Sequence, residues 1–73
     1  MQDQNKKDNS ISATVTEALP NTFFKVLRDD TREEILTYLS GKMRLHRIRV
    51  LIGDKVIVEI DPYGGKGRIV KRV

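Results

Sequence analysis

The chain has 73 residues, one histidine, no cysteine and a formal net charge of +4. That length bounds it to one domain with a thin core, too small to enclose a deep catalytic cavity. The missing cysteine excludes a disulfide framework and a thiolate zinc site, and the lone histidine excludes a His-rich metal centre.

Residues 1–10 are polar and lack the apolar stretch of a secretion signal. No apolar run approaches the roughly 20 residues of a membrane span. The expected location is the cytoplasm. Charge is uneven: residues 1–40 hold 5 basic and 7 acidic side chains, net −2, and residues 41–73 hold 9 and 3, net +6. A basic C-terminal half points to a polyanionic partner.

In chain order, residues 1–10 form an expected disordered tail, rich in Gln, Asn, Asp and Lys. The domain is expected over residues 11–73. Residues 11–16 alternate apolar and hydroxyl side chains, the period of a half-buried strand. Leu19-Pro20-Asn21-Thr22 signals a turn. Residues 23–27 read as a second strand. Phe23 and Phe24 would then point to opposite faces, one of them into the core. Asp29-Asp30-Thr31 is a polar hairpin tip, and residues 34–39 return as a third strand.

Ser40-Gly41 ends that strand. Ser40 is a good N-cap for a short helix over residues 42–46. Residues 47–52 are extended or irregular, and Gly53-Asp54 is a turn. Residues 55–60 give a clear strand, with Val56, Val58 and Ile60 facing the core. Residues 61–67 hold one proline and three glycines and read as a loop. Residues 68–73 close as a fifth strand.

Five strands with a short helix between the third and fourth predict an all-β, five-stranded Greek-key barrel of the OB-fold type. An SH3-like barrel has a similar strand count but no helix at that place. An open sheet of this size would leave long unprotected edges.

Catalysis finds little support. His46 is the only imidazole, and it lies among cations without an orienting partner. The acids Asp29, Asp30, Glu33 and Glu34 sit at a hairpin tip and read as a solvated turn. Gly64-Gly65-Lys66-Gly67 lacks the spacing and following helix of a phosphate-binding loop.

Nucleic-acid binding asks for what is present. Lys42, Arg44, Arg47 and Arg49 crowd one connection with no acid among them. Arg forks can bridge phosphate oxygens or stack on a base. Lys66, Arg68, Lys71 and Arg72 form a second basic group, and Tyr63 is the leading stacking candidate, with covering the barrel end as its alternative role. The few aromatics favour a structured RNA read by shape and backbone over a general single strand. A cold-shock-like RNA chaperone and a protein-interaction module with an acidic partner are the competing readings.

A series of short motifs carries a further signal: Leu19-Pro20-Asn21, Phe24 and Val26, Leu39-Ser40-Gly41-Lys42-Met43-Arg44, Ile48-Arg49-Val50-Leu51, Gly53-Asp54-Lys55-Val56, Pro62-Tyr63 and Lys66-Gly67-Arg68-Ile69. In this order they closely resemble bacterial translation initiation factor one, from about Ile11 to Arg72. The resemblance implies an S1-type OB-fold without enzymatic activity or cofactor, acting as a monomer. It implies binding to rRNA and an adjacent ribosomal protein in the A site of the small ribosomal subunit, alongside the other two initiation factors. There the family blocks premature tRNA entry and promotes subunit dissociation and start selection. Carried over by position, the expected rRNA contacts are Lys42, Met43, Arg44, His46, Arg47, Arg49, Tyr63, Lys66, Arg68 and Arg72.

The chain departs from the family pattern in four places. Arg47 and Lys71 stand where aromatic residues are usual, trading stacking for charge. The 29–34 hairpin is one residue longer and lacks the Asn-Gly turn. The 63–66 loop is one residue shorter.

Overall fold

A computed structural model describes residues 10–60 and 66–73. Among these, β1 (Ser10–Ala18), β2 (Phe23–Arg28) and β3 (Glu34–Leu39) precede a one-turn helix, α1 (Gly41–Leu45). β4 (Lys55–Glu59) and β5 (Gly67–Arg72) follow. The strands close into a barrel in the order β1-β2-β3-β5-β4, with β1 also paired to β4. The β3–β5 ladder is parallel and the others are antiparallel. This is the five-stranded barrel, with its helix between β3 and β4, that the strand order predicted.

β1 is longer than its alternating pattern suggested because it serves two partners. Residues 10–14 pair with β4, and residues 13–18 pair with β2. A register shift between Val15 and Glu17 accommodates the change. Such a bulge bends a strand and raises its twist, as barrel closure requires. Thr16 sits at the irregularity, and its hydroxyl donates to the Lys25 carbonyl at 3.1 Å. Ser10, expected in the polar tail, opens β1 opposite Glu59. The rest of that tail, residues 1–9, and the loop residues 61–65 lie outside the described residues.

The barrel interior is narrow, so its side chains are small or β-branched. Ala13, Val15, Val26, Val56, Val58 and Ile69 are buried, joined by Met43 from α1 and Val50 from the segment after it. Ile60 lies just beyond β4 and packs half-buried against this core. Phe24 takes the core-facing place and Phe23 faces outward, because Phe24 pairs with buried Thr37. The Thr37 hydroxyl donates to the Phe24 carbonyl at 2.8 Å, which satisfies a buried polar group.

Gly67 marks the tightest place in the barrel. A Cβ there would stand 2.6 Å from Val58 Cγ1 and 3.2 Å from Thr37 Cγ2. Only a residue without a side chain lets β5 lie against β3 and β4 at this point. The glycine that read as loop punctuation is therefore the first residue of β5.

Candidate nucleic-acid interface

The basic connection is held by backbone contacts at both ends. The Ser40 N–H donates to the Ile69 carbonyl at 2.9 Å, tying the start of α1 to β5. The Ser40 hydroxyl accepts from the Met43 N–H at 3.2 Å, a side-chain N-cap. Ser40 is the cap that was expected, and the helix begins directly after it at Gly41, one residue earlier than expected. At its other end, the Ile48 N–H donates to the Met43 carbonyl and the Arg47 N–H to the Arg44 carbonyl, both at 3.1 Å. These two bonds form a Schellman motif, whose turning residue is usually glycine. Here it is Arg47, at φ 54°.

The segment after α1 is pinned by Asp54. Its carboxylate accepts from the Leu51 N–H at 2.9 Å, and its backbone carbonyl accepts from the Val15 N–H at 2.9 Å. Gly53 takes φ 95°, a left-handed turn suited to glycine, and donates its N–H to the Val15 carbonyl at 2.8 Å.

These anchors leave the cations of the connection free. Lys42, Arg44, His46, Arg47 and Arg49 are exposed, and among the described residues none of them has an acidic partner. Five cations elsewhere are paired: Lys25 with Glu17, Arg28 with Asp30, Lys55 with Asp29, Arg68 with Glu59 and Arg72 with Asp54, whereas Arg32, Lys66 and Lys71 have no acidic partner among the described residues. The Arg28–Asp30 contact is bidentate, at 3.0 and 2.9 Å. Its hydrogen bonds raise the Arg28 guanidinium and lower the Asp30 carboxyl from their ordinary values. The Arg68 guanidinium is likewise raised, first by its hydrogen bond to Glu59, then by that residue's charge and, less, by Tyr38. Asp30 and Asp29 at the hairpin tip thus neutralise Arg28 and Lys55.

Met43 differs from the other expected contacts. Its side chain is 2% exposed and belongs to the core. Burying it contributes about 1.5–3 kcal/mol and seats α1 on the barrel, so its side chain offers a partner almost no surface. Arg72 also has a structural task. It donates from Nη1 to the Arg49 carbonyl at 3.2 Å and lies 3.9 Å from Asp54. It joins the end of β5 to the basic connection. Tyr63 lies outside the described residues.

The fold brings the two basic groups together at a place the sequence reading missed. Phe23 and Tyr38 are paired across β2 and β3, both on the outer face and half-buried. With Thr22, Leu39 and Arg44 they line an open cleft of about 100 Å³. Lys66 Nζ stands 5.3 Å from the Phe23 ring centroid, within reach of a cation–π contact. The parallel β3–β5 register sets Arg68 beside Tyr38. Arg44 from the first basic group and Lys66 from the second thus flank one aromatic ring. The signal was latent in the hairpin: fixing its register would have put Phe23 opposite Tyr38.

No helix among the described residues is long and apolar enough to cross a membrane. A family model described as translation initiation factor 1A / IF-1 matches residues 1–73. The barrel is similar to the solution structure of translation initiation factor one from the Wolbachia endosymbiont, strain TRS, of Brugia malayi. That likeness has a TM-score of 0.73 and 40% identity, and covers 88% of this chain and 76% of that one. It is also similar to YjeQ from Thermotoga maritima, with a TM-score of 0.75 and 28% identity over 88% of this chain. YloQ, a circularly permuted GTPase, shares the fold at a TM-score of 0.75 and 23% identity over 88% of this chain. The chain spans only 22% of the length of each of these two larger proteins.

Proposed function

Because the chain belongs to the translation initiation factor 1A / IF-1 family, we propose that it acts in initiation by docking on the small ribosomal subunit. It lays the α1 connection and the start of β5 against rRNA in the A site. Lys42, Arg44, His46, Arg47 and Arg49 contact the RNA backbone from one side, and Lys66 and Arg68 from the other. Tyr63, which precedes β5 in the sequence, adds a contact, and Arg72 holds the connection in place. A neighbouring ribosomal protein borders the site, and the other two initiation factors share the subunit. Occupying the A site excludes tRNA until the start codon is selected. The protein works as a monomer in the cytoplasm, by binding alone.

The observation that carries this reading is the contrast in pairing. Among the described residues, five of the eight cations outside the α1 connection are paired with acids, and none of those on the connection is. Unpaired guanidiniums on an anchored connection suit a ligand that brings its own negative charge. Co-sedimentation with small subunits at two salt concentrations tests it. Binding is expected to saturate, to weaken steeply with salt, and to be lost when an A-site competitor or large subunits are added. Arg44→Ala is expected to weaken binding and reduce the salt slope by about one unit while the barrel stays folded. Non-saturating binding that ignores the competitor would overturn the reading. Equal affinity for an unstructured oligonucleotide would point instead to a single-strand chaperone.

A further inference from the structure

We propose that Glu59 is an internal competitor for Arg68. Its carboxylate holds the guanidinium in the free protein, yields it to an RNA phosphate on docking, and recaptures it as the RNA leaves. This rests on the RNA-binding reading above and adds to it a residue that works against binding.

The placement is set by register. Arg68 lies on β5, with Tyr38 beside it on β3 and Glu59 beside it on β4. The neighbouring pair, Val58 and Ile69, is buried. Side chains alternate between the faces of a strand, so Glu59 and Arg68 both point outward. There Arg68 Nη2 donates to Glu59 Oε1. Glu59 is the one acid within β4 and β5, which otherwise carry the cations Lys55, Arg68, Lys71 and Arg72. A carboxylate thus occupies a guanidinium of the face assigned to RNA.

The fold has little need of this pair. The ladder already joins β4 to β5 at Glu59 and Arg68. By contrast, the Arg72–Asp54 pair accompanies a hydrogen bond that ties the chain end to the α1 connection. The side chains of Arg68 and Glu59 are 50% and 43% exposed, so water screens their attraction and both are free to turn. A guanidinium takes carboxylate and phosphate through the same charge-assisted fork. An RNA backbone held at the same time by Arg44 and Lys66 therefore displaces the carboxylate. When that backbone begins to lift, Glu59 is at hand to take Arg68 back, and release is faster.

Two measurements on the full chain test the competitor. The first follows binding to and release from small subunits for Glu59→Gln, Arg68→Ala and the double variant. Glu33→Gln, at the exposed β2–β3 tip, changes net charge equally and is the control. Glu59→Gln is expected to bind about 2- to 5-fold more tightly than the control, the range of an exposed ion pair, through slower dissociation. In the Arg68→Ala background it is expected to do no more than the control does. Its unfolding temperature is expected to fall by no more than about 5 °C. The second measurement needs no variant. The carboxyl-carbon resonance of Glu59 and the guanidinium-nitrogen resonances of Arg68 are followed as the parent protein is titrated with a hexaribonucleotide. They are expected to move together, with one midpoint.

Glu59→Gln binding subunits no more tightly than Glu33→Gln would overturn the competitor and leave the ribosomal reading standing. So would a gain that persists in Arg68→Ala, because Glu59 then repels phosphate without holding Arg68. Resonances of Glu59 and Arg68 that move together with RNA, in a protein that ignores subunits, would support the competitor and sink the ribosomal reading. A Glu59 resonance that stays in place throughout the titration sinks the competitor.

Discussion

Arg47 shows two demands meeting on one residue. The Schellman turn that ends α1 wants a left-handed residue, and glycine takes that conformation at no steric cost. Arg47 takes it at φ 54°, at a cost of roughly 1 kcal/mol for a residue with a Cβ. It gives in return a guanidinium at the tip of the connection. Arg47→Gly is therefore expected to raise folding stability by about 0.5–1 kcal/mol and to weaken binding to small subunits. Urea unfolding reads the first change and co-sedimentation the second. A variant that loses stability would show that the Arg47 side chain contributes to the fold. Its charge, and its place where the family usually has an aromatic residue, made Arg47 visible in the sequence. Its backbone role was not, because a left-handed position is invited by glycine or asparagine and arginine gives no such cue.

Among the elements, legibility followed the range of the interactions that set each one. β4 alternates over Val56 and Val58, with both buried, so its own period sufficed to find it. α1 announced itself by the Ser40 cap. β1 was found but shortened, since its last residues join the ladder only through the bulge beside Thr16. Gly67 was misread as loop because its necessity lies in Val58 and Thr37, far away in the chain. Gly67→Ala is expected to destabilise the barrel by about 1–3 kcal/mol, since Val58 must shift or β5 must lift from β3. Chemical denaturation measures it, and an unchanged midpoint would mean the core yields freely there. The candidate site divides the same way. The basic residues were legible as composition, whereas the Phe23–Tyr38 pair needed the hairpin register. The anchoring role of Arg72 needed the approach of the chain end to Arg49.

Across the whole molecule, the field is set by which charges are cancelled. Net charge is +4, and among the described residues four of the seven Lys and Arg side chains without an acidic partner lie on the α1 connection. Such a distribution steers association with a polyanion, and salt weakens the steering. The association rate with small subunits is expected to fall as ionic strength rises, with a shallower fall for Arg44→Ala. Arg32→Ala removes the same unit charge from the β2–β3 tip, at the opposite end of that hairpin from Phe23 and Tyr38. It is expected to leave the dependence unchanged. Stopped-flow mixing over a salt series separates the two, and equal slopes would mean that only net charge matters.

The parallel seam between β3 and β5 carries one more consequence. Tyr38 and Arg68 face the same side only where that seam is zipped, and its two strands are remote along the chain. Loop-closure entropy opposes such a pairing until the rest of the barrel rewards it. A chain with the seam open keeps every cation of the α1 connection, yet presents them without the aromatic floor or the opposing bank of charge. It is a sticky polycation rather than a reader of shape. Discrimination between one RNA and another is therefore a property of the closed ring of strands, and mere attraction is a property of the composition.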